Sequence, residues 1–304
     1  MIAKKGAQKS RLKTLKTALS AYEIVMDQRA DIAQTDNRNM TDQIVLTALD
    51  GALLNSLTDC SEAAIAPLKS AIAQLQTQGI PVIVFTERDR TEIEPIRQQL
   101  KLTSPFIVES GSGIFTPVDH NPFAPALGEL EDGYYVEALG CPYVQARAGL
   151  RVIANLISHP LKGFGDFTVP QLQRVAGLSE EAAHQAKARE FSEPFMTPKA
   201  VSAQTLIEAA EETGFAVIVR TEERFSELLG RDAGLASAAR AVITAYQAQL
   251  PDKTLKVMGI SHRTEDLAVL ASASQSAVYT EVLISSAPAG WLSAVQSLLG
   301  SCMS

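Results

Sequence analysis

Ile44-Val45-Leu46-Thr47-Ala48-Leu49-Asp50-Gly51-Ala52-Leu53-Leu54 is the stretch on which the reading of the fold turns. An apolar run leads into an acid and a glycine, and two leucines follow at once. A strand that ends on an acid in a small-residue turn fits the carboxyl end of a buried parallel strand, where α/β proteins place their chemistry.

Outward from it, strand and helix alternate. Ala64, Ile65, Leu68, Ile72 and Leu75 fall at helical spacing over 60–78, and Gly79 is placed to end the helix. Ile80–Phe85 reads as a second buried strand closing on Thr86. A helix follows over 91–101, then a short strand over 106–108 and the small-residue turn 109–113. The rhythm predicts an α/β fold with a doubly wound parallel sheet. Residues 116–199 break it, with prolines at 117, 122, 125 and 142, and read as an inserted α+β cap. Helices over 200–212, 233–249, 265–271 and 290–300 then alternate with strands over 215–219, 255–258 and 277–282. The core is accordingly expected over 43–115 and 200–304, with the segment around 200–230 shared in part with the cap.

Residues 1–42 form a basic extension and linker. Lys4, Lys5, Lys9, Arg11, Lys13 and Lys16 precede the first acid, Glu23, while Leu12, Leu15, Leu19, Tyr22 and Met26 share one helix face. Such a helix either lies solvated against its own domain or docks a protein partner through residues 8–30. The net charge of −7 and pI near 5.3 argue against a nucleic-acid partner. No apolar run approaches the roughly 18 residues of a membrane span, and no signal-peptide core follows the start. Cys60, Cys141 and Cys302 are far apart and the four histidines are scattered, so reduced thiols and a cytoplasmic location are expected, with no zinc site.

The first stretch resembles the opening motif of the haloacid dehalogenase (HAD) phosphatases, Asp-x-Asp-Gly-Thr-Leu-Leu. Gly163-Phe164-Gly165-Asp166, Val175-Ala176-Gly177-Leu178 and Ala188-Arg189-Glu190-Phe191-Ser192-Glu193-Pro194-Phe195 resemble the cap of the mannosyl-3-phosphoglycerate phosphatases within that superfamily. Gly111 and Leu139-Gly140-Cys141-Pro142-Tyr143 are similar to the same family, and the resemblance spans roughly residues 43–300. It implies a HAD core whose cap closes over a sugar-linked phosphoglycerate. It also implies an aspartate nucleophile, an acid/base aspartate, a Ser/Thr and a Lys on the phosphoryl oxygens, and Mg²⁺ held in part by a Gly-Asp-Ser-x-Asn-Asp motif.

Matched position by position, the catalytic motifs are degenerate. Ala48 stands at the nucleophile, and Asp50 at the acid/base position, where it could also serve as a turn residue or weak metal ligand. Thr86 matches the phosphate-binding hydroxyl or simply satisfies local backbone. Arg88 keeps a positive charge for a substrate carboxylate or phosphate. Ala233 replaces the motif lysine, in Asp232-Ala233-Gly234-Leu235-Ala236. Gly259-Ile260-Ser261 replaces Gly-Asp-Ser, and the loop runs about two residues longer, so that only Asp266 matches a metal carboxylate or else caps a helix. The turn 110–113, with Gly111, offers backbone amides to an anion or is a plain tight turn. Gly163, Gly165 and Asp166 are candidate substrate contacts or cap architecture. Arg189, Glu190 and Glu193 are candidate contacts to a polar substrate or a solvated helix face.

Loss of a nucleophile costs turnover on the order of a millionfold. The expectation is therefore a HAD-like protein without hydrolytic activity, with weak or absent Mg²⁺, that binds a sugar-phosphate or phosphoglycerate ligand or a protein partner. The alternative is a working Mg²⁺-dependent phosphomonoesterase with a rearranged site, perhaps using Glu87, Asp89 or Glu265.

Overall fold

The computed structural model describes residues 41–55, 61–118 and 125–301; the expected basic helix and partner segment lie outside the described residues. Strand β1 (Gln43–Ala48) lies near the middle of an eight-stranded sheet of order β11-β10-β1-β2-β3-β4-β6-β5. Its neighbours are β2 (Val82–Phe85) and β10 (Lys256–Ser261), with β3 (Phe106–Val108) and β11 (Val278–Leu283) beyond them, all parallel. Ile44 to Leu46 and Val82 to Val84 are buried. That is why these strands read as continuous apolar runs: helices cover both faces.

Helices α1 (Glu62–Thr77), α2 (Arg90–Leu100) and α9 (Ala289–Ser301) pack together as one layer. Helices α7 (Leu235–Ala248) and α8 (Thr264–Ala273) pack as the other. Local chemistry sets their starts. Ser61 caps α1 through the Ala64 amide, and Asp89 Oδ1 accepts from the amides of Thr91 and Glu92 to begin α2.

The sheet is not parallel throughout. β4 (Gly113–Pro117), β5 (Glu129–Glu131) and β6 (Tyr134–Ala138) extend it as antiparallel strands. A second sheet of three antiparallel strands, order β7-β9-β8, comprises β7 (Glu193–Met196), β8 (Phe215–Ile218) and β9 (Phe225–Gly230). Helices α3 (Tyr143–Leu156) and α6 (Ala203–Thr213) pack with it, burying Leu150, Ile153, Phe195, Ala209 and Leu228 in their own core. Two short helices, α4 (Val169–Ala176) and α5 (Glu180–Gln185), close a further apolar cluster around Phe164 and Leu172.

The hairpin β5–β6 hydrogen-bonds to the main sheet through β4, and β8 and β9, in the segment around 200–230 expected to be shared in part with the cap, pair with β7; no strand was expected at β9.

Candidate functional site

β1, β2, β3 and β10 end together at one edge of the parallel sheet, and β1 lies between strands reached by opposite crossovers, the usual place for a ligand cleft. Ala48, at the end of β1, is 5% exposed and pairs with Phe85 of β2. Its methyl group offers neither a nucleophile nor a metal ligand. Asp50, two residues on, receives Thr86 Oγ1 on Oδ2 at 2.9 Å and Arg88 Nε on Oδ1 at 3.0 Å. Three of the residues singled out in the sequence thus meet. Arg88 also reaches Glu92 Oε2 at 2.7 Å, so its fork is engaged by two carboxylates of the chain itself. Burial first, then repulsion from Asp89, pushes the Glu92 carboxyl up to about 7 against the pull of Arg88 and Arg189.

The other motif positions are structural in their geometry. Ile260 is fully buried within β10, paired with Thr47 and Val282; the strand expected to stop at 258 runs on to Ser261 and absorbs the motif position. Asp266 Oδ2 accepts from Ser261 Oγ at 2.7 Å in the first turn of α8, and the Arg263 amide donates to the same Oγ. Ala233 lies in the turn before α7, its amide bonded to the Gly230 carbonyl. Gly111 adopts φ +92°, and a Cβ there would lie 2.2 Å from the Gly234 carbonyl carbon: its smallness serves a backbone crossing. Similarly, a Cβ on Gly51 would strike the His262 ring at 2.3 Å.

Mg²⁺ prefers near-octahedral oxygen ligation, commonly with carboxylates, and these residues do not fit it. Alanine and a buried isoleucine occupy two ligand positions, and both Asp50 oxygens are taken by protein donors. Asp266 bonds Ser261, and no group of three or more His, Cys, Asp or Glu side chains able to hold a metal forms among the described residues.

Gly163, Gly165, Asp166 and Glu193 converge on one another, apart from the Asp50 cluster. Asp166 Oδ2 accepts from the Gly163 amide and Oδ1 from Arg147 Nη2, while Glu193 Oε1 accepts from the Gly165 amide at 2.9 Å. Burial raises the Glu193 carboxyl above its ordinary range, against the Gly165 and Tyr143 hydrogen bonds.

Arg189 and Glu190 instead reach the main sheet. Arg189 is buried, not on a solvated face: Nη1 donates to Glu227 Oε1 at 3.0 Å and to the Glu87 carbonyl at 2.8 Å, and Nε has no partner. Glu190 accepts from Arg90 Nε at 3.0 Å. Below them lies a network that sequence reasoning missed. Glu109, fully buried at the end of β3, accepts from the amides of Glu190 and Phe191 and from Ser192 Oγ; Ser110 Oγ donates to Glu227. Burial raises the Glu109 carboxyl, with Arg189 and these donors opposing. A second set holds Glu87, named from the sequence only as a residue of a rearranged site, with two arginines that sequence reasoning missed: Arg220 Nη2 and Arg263 Nη1 each lie 2.6 Å from Glu87 Oε1. The one available signal was a carboxylate or arginine one or two positions past a strand end: Glu109 directly after β3, and Glu87, Arg220 and Arg263 two past β2, β8 and β10.

A family described as haloacid dehalogenase-like hydrolase matches residues 45–125. Over 227 residues the chain is 30% identical to a glucosyl-3-phosphoglycerate/mannosyl-3-phosphoglycerate phosphatase of Persephonella marina, covering 75% of this chain and 81% of that protein. A phosphatase of the same description from Methanococcoides burtonii is 28% identical over 275 residues, 84% of this chain and 97% of the other. Among solved structures, a phosphatase of the haloalkanoate superfamily from Bacteroides thetaiotaomicron superposes with a TM-score of 0.53 at 14% identity, covering 87% of this chain and 97% of that one. A Thermoplasma acidophilum protein gives a TM-score of 0.52 at 12% identity, covering 85% and 98%. At such identities the two structures speak for the fold alone.

Proposed function

The chain belongs to the haloacid dehalogenase superfamily, in the mannosyl-3-phosphoglycerate phosphatase family, and from that premise we propose that it binds a sugar-linked phosphoglycerate without hydrolysing it. The observation that carries the reading is Ala48 at the nucleophile position, closed in at the end of β1. No side chain in contact with Asp50 replaces it: Thr86 is a hydroxyl bonded to Asp50, and Arg88 is a cation. With no attacking carboxylate, no aspartyl-phosphate forms, and Arg88, held between Asp50 and Glu92, is the cation left in this cluster to meet an anion. The names of the relatives support the ligand class; they are phosphatases of glucosyl- and mannosyl-3-phosphoglycerate. A cytoplasmic location belongs to the same reading and is supported by the scattered cysteines. No helix among the described residues is long and apolar enough to cross a membrane.

The test is phosphate release from mannosyl-3-phosphoglycerate, with and without Mg²⁺, beside thermal melts in the same ligand. The expected result is no release and a rise in melting temperature, since a ligand at about 100 times its Kd stabilises the folded state by about 2.7 kcal/mol. Mg²⁺-dependent release by the unmodified protein would overturn the reading in favour of a working phosphatase, the activity that its relatives' names carry.

A further inference from the structure

Glu87 lies in the connection after β2, directly after Thr86, whose hydroxyl donates to Asp50. Its carboxylate is held in an unusual way. Oε1 accepts a hydrogen bond from Arg263 Nη1 at 2.6 Å and is ion-paired with Arg220 Nη2 at 2.6 Å. The two arginines come from different parts of the molecule: Arg220 from the connection between β8 and β9 in the second sheet, Arg263 from the loop after β10 in the first. Glu223 completes the ring, 3.8 Å from Arg220 Nε and 3.5 Å from Arg263 Nη2. Arg263 also sits in the stretch by which the fourth motif is longer than the family pattern, beside the position where the metal carboxylate is lost.

We propose that Arg220 and Arg263 form a two-sided site for the phosphate group of a phosphate monoester, with Glu87 as its resident occupant. The inference deepens the reading above and rests on it for the ligand class. A guanidinium presents a planar fork that matches two oxygens of a phosphate, and two forks facing each other suit a tetrahedral dianion better than one carboxylate oxygen shared between them. Glu87 is 42% exposed on its side chain whereas Arg220 is only 14% exposed. The occupant can thus swing out to solvent while Arg220, the more buried cation, stays in place; Arg263 is 36% exposed. While Glu87 is seated, the two parts of the molecule are tied across the cleft and the anion must compete for the same donors. The apparent affinity is then lowered by the fraction of molecules in which the carboxylate is seated.

Isothermal titration with inorganic phosphate tests this on the full chain. Glu87→Gln keeps the side chain's shape but removes its charge; it is expected to bind phosphate at least about tenfold more tightly than the unmodified protein, the scale of one charge-assisted hydrogen bond. Adding Arg220→Gln or Arg263→Gln to that variant should abolish the gain, and Glu129→Gln, on the exposed strand β5, should produce none. Glu87→Ala serves as a second variant should the first fold poorly. Equal phosphate affinity in both Glu87 variants and the unmodified protein overturns the proposal. So does a gain that survives loss of either arginine, or a gain seen with glycerate but not with phosphate, which would make the site a carboxylate site. Failure here is separable from failure of the function. Uptake of mannosyl-3-phosphoglycerate by the unmodified protein with no effect of Glu87→Gln sinks only this inference. Tighter phosphate binding by Glu87→Gln, with neither protein taking up mannosyl-3-phosphoglycerate, sinks only the ligand reading.

Discussion

At the scale of single residues, Glu92 carries the clearest pH signature. Its carboxyl, pushed up by burial and by Asp89 to about 7, faces Arg88 at 2.7 Å and the more distant Arg189. An unfolded chain releases that proton near the ordinary glutamate value, so between about pH 4.5 and 7 the folded state holds a proton that the unfolded state has lost. Its contribution to stability therefore falls as pH rises through that window and is flat above it. Glu92→Gln should remove this slope: urea midpoints of variant and parent should diverge in the variant's favour from pH 5 to pH 8, by a few kcal/mol at most. A constant difference would mean that Arg88 compensates the charge fully. Gly111→Ala belongs to the same scale. With φ +92° and the Gly234 carbonyl in the way, it should cost roughly 1–3 kcal/mol from the backbone alone, read as a lowered denaturation midpoint. Asp50, Thr86 and Arg88 were legible because strand ends in a parallel sheet converge by topology. Glu109 and Glu227 were not: 118 positions separate them, and nothing local says that a carboxylate will be buried against a serine and an arginine from elsewhere.

Elements were more legible than side chains. The apolar runs at 44–46 and 82–85 and the helical spacing over 62–77 announce themselves, since each is dictated by burial on a regular period. The end of β10 was misplaced because Gly259-Ile260-Ser261 was read as motif; a β-branched residue in that position extends the strand instead. The segment 189–192 shows what an element can do when its ends are tied. Its amides at 190 and 191 grip Glu109, and its arginine is buried between Glu109 and Glu227. Breaking a buried ion network by removing one partner typically costs about 3–5 kcal/mol, and Arg189→Met should fall in that range. The loss should be larger at pH 8 than at pH 5. Glu109, already raised by burial, loses the cation that holds it down and is relieved only by taking up a proton. Chemical denaturation at the two pH values measures it; equal losses would show that Arg189 contributes packing rather than charge.

For the whole molecule, the question is how firmly the three-stranded sheet is joined to the eight-stranded one. The family resemblance implies a cap that closes over its substrate. In this chain the contact is polar, buried and nearly saturated. Glu109 accepts two amides and the Ser192 hydroxyl, Glu227 accepts Ser110 and Arg189, and Arg189 reaches back to the Glu87 carbonyl. Burying these groups is costly unless every partner stays in place, so partial separation would strand a carboxylate or a guanidinium out of water. That couples the two sheets into one cooperative unit. Calorimetry of the full chain should accordingly give one unfolding transition spanning both sheets. Glu109→Gln substitutes an amide that cannot accept at both of its ends, and one of its three donors is left unpaired. The coupling should weaken, and the transition should broaden or divide, the earlier part assigned to the three-stranded sheet by faster amide exchange over 193–230. A divided transition in the unmodified protein would refute the coupling. A variant whose single transition merely shifts downward would place the link in the other charged contacts between these parts instead, the ring of Glu87, Arg220 and Arg263 and the Arg90–Glu190 pair.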